Sequence, residues 1–159
     1  VIFHFDRQQD PTPGKLLYIE DELSLFYEEA TPLAHLQGGG QDRTEISVGP
    51  VDLTVHLPTG KLLFASGYAP REAWRSGTVT PPPHPTGAVT VTGLDTLPGI
   101  AVRVNTGNYA LTLDARTGWL QVTAGVPTHQ ALAFAEGTVI GVDTDGGLSG
   151  LWLKPEFTR

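Results

Sequence analysis

The chain has no cysteine and no methionine. Lack of cysteine excludes disulfides, thiolate catalysis and cysteine-ligated metal sites together. It leaves the compartment open, because a cysteine-free chain works in either redox environment; a cytoplasmic setting is favoured. Long apolar runs are missing too. None approaches the roughly 18 residues that would span a bilayer, so no membrane partner is expected. The opening stretch VIFHFDRQQD turns polar within six residues and does not read as a signal peptide.

Positive charge is scarce. Ten Lys and Arg stand against 17 Asp and Glu, for a formal charge of -7. Such a field repels phosphate backbones, and the longest basic grouping is Arg71 with Arg75, so no nucleic-acid partner is expected. The same field suits solubility or a basic protein partner.

The usual signatures of catalysis and cofactor binding are also missing: no G-x-S-x-G, P-loop or G-x-G-x-x-G occurs. No two of the five histidines lie within four residues of each other, so no local metal-binding pair exists. Asp143-Thr144-Asp145-Gly146 resembles the start of a calcium loop. Gly147 and Lys154 then stand where further oxygen ligands are needed, and a hairpin turn accounts for the stretch. No metal and no cofactor is expected.

Glycine (19) and proline (13) are plentiful and punctuate the chain at short intervals. Short alternating runs between such turns predict an all-β fold, a sandwich or a partly closed barrel of ten or more short antiparallel strands. One phrase recurs. Residues 44–67 laid over 102–125 match at seven of 24 positions, among them Leu53/Leu111, Thr59/Thr117 and Gly60/Gly118. Composition alone gives roughly two such matches, which favours an internal duplication. Val51, Leu53 and Val55 alternate with Asp52, Thr54 and His56, and Tyr109, Leu111 and Leu113 with Ala110, Thr112 and Asp114. Period two puts each apolar set on one strand face, and LPTGK and ARTGW supply hairpin turns.

A single domain over residues 1–159 is therefore expected, with two pseudo-symmetric halves at about 22–70 and 85–128. Each half would be a four-stranded, meander-like unit, joined by the proline-rich connection 69–87. DELSLFYEEA fits a strand (Leu23, Leu25 and Tyr27 alternating) or a helix (Leu23, Phe26, Tyr27 and Ala30 at helical spacing). Its correspondence with AVTVT favours a strand. GGG at 38–40 reads as a mobile loop rather than a phosphate cradle. PPPHP at 81–85 reads as a stiff linker, or as a polyproline segment able to dock on an aromatic groove.

The stretch GYAPREAWRSG holds Tyr68, Arg71, Trp74 and Arg75, and aromatic-plus-arginine loops are enriched at interfaces. Its counterpart in the second copy lacks them. With Trp119, which replaces Lys61 after the turn glycine, these residues are the expected binding set. The competing reading makes Trp74 a plug for one end of the fold.

The leading functional expectation is a non-enzymatic module binding a protein or small molecule, including an acidic neutraliser of a basic toxin or nuclease. Two others are an enzyme using His56, Asp114 or Glu72 from separate strands, and an assembly subunit forming a homodimer. His56 and Asp114 hold matching positions in the two copies. They read either as a His–Asp pair or as two solvent-facing residues that happen to correspond.

Overall fold

The computed structural model describes residues 1–30, 42–104, 109–123 and 125–158. His35 and glycines 38–40 of the expected loop lie outside the described residues. Among the described residues there are fifteen strands: β1 (Ile2–Asp6), β2 (Gly14–Ile19), β3 (Ser24–Glu29), β4 (Arg43–Val48), β5 (Val51–His56), β6 (Lys61–Tyr68), β7 (Arg75–Ser76), β8 (Ala88–Thr92), β9 (Val102–Arg103), β10 (Ala110–Leu113), β11 (Leu120–Thr123), β12 (Gln130–Ala135), β13 (Thr138–Val142), β14 (Leu148–Leu153) and β15 (Glu156–Thr158). The segment that fitted both helix and strand is strand β3. No helix among the described residues is long and apolar enough to cross a membrane.

The strands form two sheets. Nine belong to a sheet running β15-β2-β3-β6-β5-β4-β9, with β8 joined to β6 and β1 to β8; six form the order β12-β13-β14-β11-β10-β7. The arrangement is a sandwich and not a barrel, because neither sheet closes. Nor are all pairings antiparallel. β7, β9 and β15 add short parallel pairings, which require long crossovers rather than hairpins.

The alternation read from the sequence explains the core. Val51, Leu53 and Val55 of β5 face Leu120 and Val122 of β11, and Ile140, Leu151 and Leu153 of β13 and β14, within one apolar cluster. β13 and β14 are buried along their whole length. Their second face carries Val139 and Trp152, which pack with Val79. Two-sided burial is why VIGV and LSGLWL read as continuous apolar runs.

Val79 belongs to the connection 69–87, which is more than a linker. After β6 it turns through Arg71–Ala73, enters the second sheet as β7, sets Val79 against that sheet's outer face and reaches the edge strand β12, where Thr86 bridges Ala133. The Val79 N–H donates to Asp114 Oδ2 at 3.0 Å, and the Ala133 N–H donates to the Pro85 carbonyl at 2.8 Å. The prolines are thus a strap packed on the protein's own sheet. Their ready-made extended backbone needs little ordering to lie there.

The repeated phrase builds two matching turns. The Gly60 N–H donates to the His56 carbonyl and the Gly118 N–H to the Asp114 carbonyl, both at 2.8 Å. Thr59 Oγ accepts from the Lys61 N–H and Thr117 Oγ from the Trp119 N–H, at 3.2 and 3.4 Å. Both glycines have positive φ, +72° and +84°. Val55 pairs with Leu62 as Leu113 pairs with Leu120.

Beyond the turns the correspondence fails. β5–β6 carries a register shift that β10–β11 lacks, and the two hairpins lie in different sheets. β4 pairs with β5, whereas β9 pairs with β4 instead of β10. The expected pair of four-stranded units is therefore not formed. A turn is specified by a few local residues, but sheet membership follows from which faces must be buried.

Candidate functional site

Residues opposite each other in an antiparallel pair share a face of the sheet. In the nine-stranded sheet Leu25, Ile46 and Leu53 point into the core. Their neighbours therefore point outward: Ser24 and Phe26 on β3, Tyr68, Ser66 and Phe64 on β6, Thr54 on β5, and Arg43 and Glu45 on β4. Two of these rings are open to solvent, Tyr68 at 62% and Phe26 at 48%.

Pairing between β3 and β6 covers only Ser24↔Tyr68 and Leu25↔Gly67, after which the strands part. Across the gap the rings of Tyr27 and Phe64 stack, centroids 5.0 Å apart and planes within 4°. Above them lies a groove of about 580 Å³ bordered by Phe26, Arg43, Glu45, Thr54 and Ser66. That volume is in the range of small-molecule sites.

Arg43 Nη2 donates to Glu29 Oε1 at 3.0 Å, and its guanidinium carbon sits 5.6 Å from the centre of the Phe64 ring. Its Nε is buried and has no hydrogen-bond partner among the described residues. Burial raises the pKa of Glu45, and the nearby negative charge of Asp52 adds to the effect. Asp52 itself accepts from Ser47 Oγ at 2.8 Å. Thr54 is buried, at 6% exposure, and its hydroxyl has no hydrogen-bond partner among the described residues.

The residues singled out from the sequence divide into three places. Tyr68 lies on the outward face just described. Trp74 is half-buried against the core, edge-on to Tyr18 at 4.9 Å, with Phe157 at 6.4 Å. Arg71 lies over both Trp74 and Phe157 and pairs with Glu20 at 2.7 Å. Trp74 thus packs against the core at the point where the chain passes from β6 to β7. Arg75 and Glu72 are exposed, Arg75 on edge strand β7. Trp119 belongs elsewhere, on the outer face of the six-stranded sheet, with His84 at 6.0 Å and Lys154 Nζ at 5.7 Å.

His56 and Asp114 are both buried, so neither is the solvent-facing residue expected. Each is bonded within its own turn, in different sheets. His56 Nδ1 lies 2.9 Å from Thr59 Oγ. Asp114 accepts from the backbone of Val79, Arg116 and Thr117, and these bonds, led by that from Val79, hold its pKa below the ordinary carboxylate value. Among the described residues no group of three or more His, Asp or Glu is placed to hold a metal.

Phe26, Phe64, Arg43, Glu45 and Thr54 were not singled out from the sequence. The one available signal was Phe26, an aromatic on the polar phase of strand LSLFYE. Compared with known proteins, the chain matches no protein-family model and no curated protein.

Proposed function

We propose that the protein is a non-enzymatic binding module whose ligand or partner engages the outward face of β3, β6, β5 and β4. The observation that carries this reading is the exposure of Phe26 and Tyr68 on one sheet face, beside a groove floored by the Tyr27–Phe64 stack. An aromatic centre with a polar rim is the usual anatomy of a recognition surface. Tyr68 is retained from the loop that the sequence singled out; the role of Trp74 is packing. Arg71 is engaged by Glu20 and two rings.

A thermal-shift screen of a small-molecule library tests the proposal. Compounds that bind only the folded state raise its melting temperature. Hits should stabilise the wild type and lose that effect in a Phe26→Ala/Tyr68→Ala variant. Hits that stabilise both proteins equally would place binding elsewhere.

A second reading, an enzyme, draws on one observation: the raised pKa of Glu45, a carboxyl beside a concave surface. A time course by NMR separates the two. A bound compound stays unchanged under the first reading and is converted under the second.

A further inference from the structure

We infer that the groove over Phe64 takes a neutral saccharide, an inference that rests on the binding reading above. The charges around it argue against an anion, and Arg43 already occupies the aromatic face that an organic cation would need. The face of Phe64 where an organic cation would sit is already taken by the Arg43 guanidinium, 5.6 Å from the ring centre and paired with Glu29. An anion would meet Glu29, Glu45 and Asp52 against Arg43, on a chain of formal charge -7.

What remains open is a set of neutral and mixed hydrogen-bonding groups. The Thr54 hydroxyl, on a residue only 6% exposed, borders the groove without a partner among the described residues. The Ser66 hydroxyl is likewise without one. Each hydroxyl both donates and accepts, Glu45 when ionised only accepts, and Arg43 only donates. A ligand hydroxyl also does both, so a polyol satisfies every member of this set, whereas an amine or a carboxylate satisfies only part.

The exposed rings supply the other half of the recognition. A sugar ring has an apolar C–H face that suits the negative face of an aromatic ring. Phe26 and Tyr68 flank the short β3–β6 pairing on the same outward face, Tyr68 opposite Ser24 and Phe26 two residues on from Ser24. Two platforms in a row favour two or more linked sugar units over a monosaccharide.

The test is an array of neutral oligosaccharides covering the common hexoses and pentoses, followed by NMR titration of the best binder. Arginine methyl ester and glucuronate serve as charged comparators. The inference expects a neutral oligosaccharide to bind best, with amide shifts at Phe26, Thr54, Phe64 and Ser66. Thr54→Val keeps the shape and removes the hydroxyl, and should weaken binding about fivefold. Phe26→Ala should weaken it by at least as much, while Arg7→Ala, at a separate groove by Pro83 and His129, should leave it unchanged. Absence of neutral binders at millimolar concentration, tighter binding of either comparator, or an unaffected Thr54→Val variant would each overturn the saccharide. Thermal-shift hits that still depend on Phe26 and Tyr68 would then keep the binding face and remove only its assigned ligand.

Discussion

The backbone N–H of Val79 donates to Asp114 Oδ2 at 3.0 Å, tying the proline-rich strap to the turn between β10 and β11. The same carboxylate accepts from Arg116 and Thr117 through Oδ1. One ionised side chain thus organises both a hairpin turn and the segment that sets Val79 against the second sheet.

Because these bonds lower the pKa of Asp114 in the folded state, its stabilising contribution is complete above the unfolded value, about 4. It is lost as pH falls through the folded value, which lies lower. Asp114→Asn should therefore be less stable than the wild type at pH 7, with the difference shrinking as the pH drops below about 4. Urea denaturation at a series of pH values measures this; a difference independent of pH would refute the role given to the charge.

Gly60 and Gly118 hold the same place in the repeated phrase but have different surroundings. A Cβ at Gly60 would lie 2.6 Å from the Val91 carbonyl oxygen, whereas at Gly118 the nearest atom is Lys154 Cε at 4.0 Å. Left-handed backbone costs a non-glycine residue about 1–2 kcal/mol at either site. Gly60→Ala adds a clash with backbone that cannot swing away. Denaturant melts should show Gly118→Ala losing about that amount and Gly60→Ala clearly more; equal losses would contradict the packing described.

Trp74 and Tyr68 sit six residues apart and should behave in opposite ways. Trp74 is half-buried among Tyr18 and Phe157, so Trp74→Ala should cost about 2–3 kcal/mol, less than truncation of a fully buried aromatic. Tyr68 is open to solvent, and its replacement by Ala should change stability by about 0.5 kcal/mol or less. Thermal melts of the two variants check the contrast. A large loss at Tyr68 would make that ring a packing residue and remove it from the binding face.

The fold class was legible because period two and turn glycines are local signals. Val51, Leu53 and Val55 could be assigned to a core face before any partner strand was known. The repeated phrase was equally legible as a turn, with its glycine at the position of positive φ; the bonds made by Thr59 and Thr117 came only with the structure. It misled about the halves because nothing within β9 states that it will pair with β4 instead of β10. Such choices depend on distant burial.

The site was less legible for a related reason. Phe26, Thr54, Phe64 and Arg43 come from four strands and meet only after β3 and β6 part. Thr54 and Phe64 face the same way only because a register shift in β5–β6 sets them opposite each other. Trp74 drew attention in the sequence because it is large and flanked by arginines, yet those traits also serve packing against the core. An isolated aromatic cannot declare which side of a strand it will occupy.

The central claim is that recognition occurs on the outward face of β3, β6, β5 and β4. The most direct measurement is a nitrogen-15 amide correlation spectrum recorded with a cocktail of small organic fragments. The account predicts shifts concentrated at Phe26, Thr54, Phe64, Ser66 and Tyr68. Shifts clustered instead around Arg7, His129 and Gln130, or around Trp119 and His84, would contradict it.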